Sequence, residues 1–293
     1  MTRVLVTGGS GFTGGYVLAR LQQNDAVLVH ALVRSPGAAD KVRRLGAVPT
    51  FGDLDVPESV AAAFASCRPE VLINVASLGF GHAPMIVAAA EQSGVERAVF
   101  VSTTAIFTKL AAASKRVRVA AEERVAASNL DWRIIRPTMI YGAPGDRNME
   151  RLLRFLRRSP IVPIPAGVDA LQQPIHVEDL AQAIVAASEV EAPSRAAFDV
   201  AGPAALPFSS ILDAAMAAVR RHPRRLPISI GLLRAGLVRY ERLADRPRLK
   251  VEQLDRLVED KAFDICAARE ALAFAPRPFD VGIEAEARAC FGR

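Results

Sequence analysis

Val4-Leu5-Val6-Thr7-Gly8-Gly9-Ser10-Gly11-Phe12-Thr13-Gly14 decides how this chain is read. Val4–Thr7 reads as a buried strand, and a glycine-rich turn followed by a helical pattern comes next. The string satisfies G-x-G-x-x-G through Gly9, Gly11 and Gly14. It also satisfies T-G-x-x-G-x-x-G through Thr7, Gly8, Gly11 and Gly14. Glycines serve the tight turn, the approach of backbone to a pyrophosphate, and the packing of helix on strand. The helix start offers N–H groups and partial positive charge to a diphosphate. Thr7, Gly8, Gly9, Ser10, Gly11, Phe12, Thr13 and Gly14 are therefore expected to cradle a nicotinamide dinucleotide.

The second strand ends Leu32-Val33-Arg34-Ser35. NAD-binding domains usually place Asp or Glu there, on the adenosine ribose. A carboxylate would repel a 2′-phosphate, whereas Arg34 can hold one by a charge-assisted, bidentate contact and Ser35 adds a small donor. NADP is the expected cofactor, with NAD as the alternative.

Outward from this stretch, short apolar runs alternate with helical patterns over the first 140 residues, the signature of βαβ units. Strands are expected at Val4–Thr7, Val27–Val33, Val48–Phe51, Val71–Val75, Ala98–Ser102 and Trp132–Arg136. Helices are expected at Gly14–Gln23, Pro57–Ala65, Pro84–Ser93 and Ser114–Ser128. After Pro137 the rhythm changes to a loop, Gly142–Asn148, a basic helix and a proline-rich stretch. Ile175–Val177 and Phe198–Val200 look like short strands around a helix Glu178–Ala187. The rest is mainly helical, with breaks at His222–Pro227 and Arg246–Arg248. The expected fold is α/β: a Rossmann-type doubly wound parallel sheet with a smaller C-terminal substrate lobe. Residues 1–142 form the core, 174–202 complete the sheet, and 143–173 with 203–293 form the lobe.

Composition narrows the function classes. The 293 residues are 51% hydrophobic and 23% charged, ordinary for a globular protein with a sizeable core. Cys67, Cys266 and Cys290 form no C-x-x-C pair, so no metal site and no disulfide framework is expected. The chain enters its first strand directly and has no apolar run long enough to span a bilayer, so a soluble, cytoplasmic protein is expected. The net charge is +6, with arginines gathered at Arg151–Arg158 and Arg220–Arg225. A solvated face, a phosphate-bearing substrate and peripheral contact with an anionic membrane all fit that charge. Nucleic acid does not, because no aromatics are interleaved with it. A monomer or a homodimer is expected.

With the third strand ending Gly52-Asp53-Leu54, the chain resembles the extended or atypical short-chain dehydrogenase/reductases, the NAD(P)-dependent epimerase/dehydratase group. The matching segments are Thr7–Gly15, Gly52–Leu54, Val101–Phe107 (VSTTAIF), Arg136–Gly142 (RPTMIYG), Pro174–Ala181 (PIHVEDLA) and Glu259–Ile283. The resemblance implies that Asp53 and Leu54 border the adenine. It places Asn74, Val75, Ala76 and Ser77 beside the cofactor. Pro137, Thr138 and Ile140 would present backbone groups to the nicotinamide amide.

Hydride transfer in this family uses a Ser/Thr, and a Tyr and Lys spaced Y-x-x-x-K on a helix. The Ser/Thr position falls on Thr103, beside Thr104. Counting back from Glu122 puts Ser114 at the tyrosine position and Arg118 at the lysine position. A shift of three residues would place Lys115 and Ala111 there instead. The tyrosines of the chain are Tyr16, Tyr141 and Tyr240, none on this helix. Tyr141, closing the sixth strand, is a further acid/base candidate, and Arg147 a candidate anion contact.

Three functions follow. One is an NADP-dependent oxidoreductase or epimerase on a small substrate, using a non-standard acid/base. Sugar nucleotides, ketones and lipid-like molecules are all open as substrates. A second is a structural NADPH-binding protein, similar to the accessory subunit of respiratory complex I. The third is a redox sensor.

Overall fold

The computed structural model describes all residues except 111–112, 143–144, 147, 245–250 and 293. Ala111, Arg147 and the expected break at Arg246–Arg248 thus lie outside the described residues. The chain runs β1 (Thr2–Thr7), α1 (Phe12–Leu21), β2 (Val27–Val33), α2 (Pro36–Arg44), β3 (Val48–Phe51), α3 (Pro57–Cys67) and β4 (Val71–Asn74). α4 (Ala83–Gln92), β5 (Arg97–Val101), α5 (Ala113–Ala126) and β6 (Asp131–Pro137) complete the first alternation. Next come β7 (Ile140–Tyr141), α6 (Met149–Arg158), β8 (Ile161–Pro165), β9 (Leu171–Gln172), β10 (Ile175–His176) and α7 (Val177–Ala186). β11 (Ala196–Val200), β12 (Leu206–Pro207), α8 (Phe208–Ala218) and β13 (Arg224–Ile228) follow. α9 (Ile230–Leu243), α10 (Val251–Leu257), α11 (Cys266–Leu272) and α12 (Phe279–Phe291) end the chain.

Seven strands form one sheet in the order β11-β6-β5-β4-β1-β2-β3, every pair parallel. This is the Rossmann order 3-2-1-4-5-6 extended by β11. Strand order reverses between β1 and β4, so a ligand crevice belongs at the carboxyl ends of those two strands. Parallel strands covered on both faces must be apolar on both, and Leu5, Val6, Leu72, Ile73, Val99 and Phe100 are fully buried. On one face Leu5, Leu72, Phe100 and Ile134 meet Phe64 of α3, Ile86 of α4 and Val125 of α5. On the other, Leu18 of α1 reaches Gly9 and Ala31, and α1 packs on α7. Arg133 of β6 is buried, with its guanidinium 2.6 Å from the Asp131 carboxylate and 2.6 Å from the Ala192 carbonyl. A charge at that depth is tolerable only with such partners.

The chain divides into two compact units: 1–138, 177–200 and 264–276; and 139–176, 201–263 and 277–293. α11, assigned from sequence to the lobe, packs on β11 and α7 in the first unit. In the second unit α6, α8 and α12 enclose Leu153, Leu156, Ile211, Leu212 and Ile283. Its strands pair as β7 with β10, β8 with β13, and β9 with β12. The expected irregular break His222–Pro227 contributes to β13, which runs parallel to β8. Prolines at 163, 165 and 227 conceal the strand pattern, and a two-stranded ladder tolerates them because it has free edges. No helix among the described residues is long and apolar enough to cross a membrane.

α12 carries a carboxyl into the second unit's interior. Glu286 is completely shielded from solvent, and neither oxygen makes a hydrogen bond of normal geometry among the described residues. Its neighbours include Asp146, whose carboxylate accepts from the backbone N–H groups of Asn148, Met149 and Glu150 at the start of α6. Burial first, and the Asp146 charge second, push the Glu286 carboxyl up from 4.5 to about 8. The folded state therefore holds a proton that the unfolded chain releases near pH 4.5. The stability this proton confers is complete below that pH and is lost as pH rises toward 8. A shift of this size amounts to roughly 5 kcal/mol between the limits. Glu286→Gln, which keeps the shape and removes the ionisation, should flatten the decline in Tm between pH 5 and pH 8.5. Thermal unfolding of both proteins across that range checks this, and parallel declines would contradict it.

Candidate functional site

The carboxyl end of β1 opens into a loop that has room only for glycine at two positions. Gly8 has φ +71°, and a Cβ there would lie 2.8 Å from the Ala76 nitrogen. A Cβ on Gly14 would lie 2.1 Å from the Gly8 carbonyl oxygen and 2.7 Å from the Gly9 Cα. The Gly11 N–H donates to that same Gly8 carbonyl at 2.9 Å. α1 starts at Phe12 with Gly11 as its N-cap, no capping side chain and no acid in its first turn. The first turn, which includes Thr13, therefore receives no N-cap side chain, the arrangement that suits a diphosphate. Phe12 packs edge-on to Tyr16.

β4 closes the other side of the crevice. The Thr7 hydroxyl donates to Asn74 Oδ1 at 2.6 Å, and Asn74 Nδ2 donates to the Ala76 carbonyl at 3.1 Å. The Val75 N–H donates to the Thr7 carbonyl at 3.1 Å. Asn74 thus brackets the turn of Val75, Ala76 and Ser77 against the glycine loop. Ser77 Oγ accepts from the Gly79 N–H at 3.2 Å and starts a 3-10 turn, Leu78–Phe80.

At the adenosine end, Arg34 follows β2 directly and is exposed. Ser35 is the N-cap of α2, its side chain accepting from the Ala38 N–H. One turn further, Lys41 Nζ donates to the Ser10 carbonyl of the glycine loop at 2.6 Å. Sequence reasoning missed Lys41 because it missed α2, without which the direction of Lys41 cannot be read. Asp53 is held as a turn: its N–H donates to Ser59 Oγ and its Oδ1 accepts from the Asp55 N–H. Leu54 packs on the core.

At the opposite end, Thr103 is partly buried after β5 and accepts from the Ala105 N–H at 3.2 Å. Thr104 is buried and its hydroxyl donates to the Pro137 carbonyl at 3.3 Å. α5 contains no tyrosine. Ser114 and Arg118 lie one turn apart on it, and the Arg118 guanidinium sits 3.2 Å from where a Gly79 Cβ would be. Lys115 turns elsewhere, Nζ donating to the Thr108 carbonyl at 2.6 Å. Farther along α5, Glu122 Oε2 accepts from Arg136 Nη2 of β6 at 2.6 Å and from its Nε at 3.0 Å. Asp199 of β11 lies 3.7 Å from the same guanidinium, which stacks over Phe107. Burial pushes the Asp199 carboxyl up, against the pull of Arg136. This network ties α5 to the sheet and so fixes the direction of Arg118.

Pro137 ends β6, and the Thr138 N–H donates to the Val200 carbonyl at 3.1 Å. Ile140 and Tyr141 belong to the second unit, paired with Ile175 and His176. Tyr141 is buried there, 5.4 Å from the His176 ring and 5.0 Å from that of Phe279. Its hydroxyl faces Gly282 of α12, filling the space a side chain would need. No group of three or more His, Cys, Asp or Glu among the described residues could hold a metal ion.

The chain is 28% identical over 219 residues to 4-hydroxy-2-methyl-3-oxo-4-farnesyl-3,4-dihydroquinoline-1-oxide ketoreductase of Stigmatella aurantiaca, over 64% of each chain. It is 26% identical over 249 residues to the mitochondrial NADH dehydrogenase (ubiquinone) 1 alpha subcomplex subunit 9 of Arabidopsis thaliana, over 77% of this chain. The matches span 64% and 60% of those two proteins' own lengths. The crystal structure of the Thermus thermophilus UDP-glucose 4-epimerase in complex with NAD superposes with a TM-score of 0.75 at 19% identity, covering 99% of each chain. This likeness shows the fold. A family model described as NAD(P)H-binding matches residues 8–189. Because that span runs from the glycine loop past the end of α7, the chain belongs to the NAD(P)H-binding family.

Proposed function

We propose that this protein is an NADP(H)-dependent reductase of a small organic ketone, with Arg118 and Thr103 replacing the missing phenol. The single observation that carries this reading is the Arg118 guanidinium lying against Gly79, just past the carboxyl end of β4. When bound, the dinucleotide would supply hydride. Gly8–Gly14 would hold its diphosphate, in a turn whose tightness depends on Gly14 lacking the Cβ that would collide with the Gly8 carbonyl. Thr103 would orient the substrate carbonyl through its hydroxyl. Arg118, always charged, would stabilise the negative charge that hydride transfer leaves on that oxygen, and solvent water would supply the proton that completes the alcohol. The name of the Stigmatella relative, a ketoreductase, supports a ketone substrate.

A second reading, a binding protein that keeps NADPH without turning it over, is supported by the absence of tyrosine from α5. Similarity to a subunit of NADH dehydrogenase also favours it.

For the cofactor, Arg34, Ser35 and Lys41 would surround a 2′-phosphate. Each charge-assisted hydrogen bond is worth about 1.5–3 kcal/mol, so NADPH should bind roughly 10–100-fold tighter than NADH. Arg34→Ala should remove most of the preference, and Lys41→Ala part of it. Calorimetry with both dinucleotides checks this; equal affinities in the parent protein would contradict it.

For the chemistry, Thr103→Ala and Arg118→Ala should each lower kcat by about 10²–10³-fold while NADPH affinity stays within about twofold. Tyr141→Phe, enclosed in the second unit, should change kcat far less. The assay is NADPH oxidation with a panel of quinoline ketones, simple ketones and nucleotide sugars. Saturable NADPH binding without turnover on any of them would instead favour the binding-protein reading.

A further inference from the structure

α9 is fourteen residues long, and none of them is buried. Leu232 and Leu243 are 66% and 73% exposed, and Tyr240 is 38% exposed. At 100° per residue, Arg239, Tyr240, Arg242 and Leu243 all fall within about 80° of Leu232, forming one outward stripe. Its single acid points the other way: the Glu241 carboxylate accepts from the Val251 N–H at 2.9 Å, on the side that packs against α10. The outward stripe is therefore apolar and cationic, with no acidic residue. The arginines singled out in the sequence are differently placed. Arg154 is paired with Glu150, Arg157 stacks on Phe291, and Arg225 is paired with Asp213.

We infer that α9 docks this protein on an anionic lipid surface, lying in the plane of the interface. Leucines at the ends of the stripe enter the acyl boundary, while the arginines and the Tyr240 hydroxyl stay at the headgroups. Charge complementarity selects lipid over a second copy of the chain. A two-fold contact would set Arg239 and Arg242 against their own counterparts with no acid to offset them. Area points the same way. A helix of about 21 Å presents a stripe of roughly 200 Å², well short of the ~800 Å² per partner of a stable protein interface. A bilayer needs no such matched area, because each exposed leucine and each arginine adds its own contribution.

Co-sedimentation of the full chain tests this, with phosphatidylcholine vesicles containing about a third phosphatidylglycerol against pure phosphatidylcholine. Binding to the anionic vesicles should be at least ~10-fold stronger and should weaken as salt rises. Two double variants, Leu232→Glu with Leu243→Glu and Arg239→Glu with Arg242→Glu, should each cut it by about tenfold or more. Both change exposed positions, so Tm and NADPH affinity should be unaltered, which separates this outcome from misfolding and from failure of the cofactor reading. Equal binding to both vesicle types, or undiminished binding by either variant, would overturn the inference. So would a concentration-dependent dimer that the leucine variant abolishes in a protein that ignores vesicles, because the stripe would then belong to a second copy.

Discussion

The carbonyl of Gly8 occupies the space where any other residue at position 14 would carry its Cβ. With glycine there, the four-residue turn after β1 closes tightly enough for α1 to start at Phe12. The same constraint extends sideways. Gly8 leaves no room for a side chain beside Ala76, and the Thr7–Asn74 hydrogen bond clamps β1 to β4 at the point where strand order reverses. The glycine loop, the β4 turn and the 3-10 turn that meets Arg118 are therefore one mechanical unit. A displacement at any of the three would be felt by the other two, because they are linked by backbone, by the buried Thr7–Asn74 pair and by the half-buried Ser77 hydroxyl.

What the sequence made legible followed from periodicity and glycine chemistry. Val27–Val33 and Val48–Phe51 match their expected bounds, since each is a largely apolar or β-branched run, interrupted in the first only by His30, between turn residues. β6 begins one residue earlier and ends one later than expected, because Asp131 and Pro137 join the ladder through backbone groups that side-chain patterning does not report. α2 escaped notice because it buries only Ala39 and Val42, too few to set up a helical period, and its start depends on Ser35. Missing that helix meant missing Lys41. β13 was hidden by proline in both partners, and α11 was assigned by chain order to a lobe it does not pack in.

The site divides along the same line. Residues 8–14 are proposed for the cofactor from the glycine string, and Val75, Ala76 and Ser77 from the family resemblance, because the expected role of each is a backbone role. Residues whose role depends on direction could not be named in either way. Arg118 faces Gly79 while Lys115 reaches the Thr108 carbonyl, and only the packing of α5 on the sheet distinguishes them. Tyr141 was singled out for its hydroxyl, yet its surroundings are an imidazole, a phenyl ring and a glycine notch. Glu286 carried no signal at all, since a single acid in a helical pattern reads as surface.

The central claim is that the β1–α1 loop and the β4 turn together form the dinucleotide site of this family member. Amide hydrogen exchange with and without saturating NADPH tests it most directly. Protection gained on binding should concentrate in residues 7–15 and 74–80, with lesser effects at 34–41. Protection confined to other segments, or NADPH binding that leaves residues 7–15 unchanged, would contradict the account.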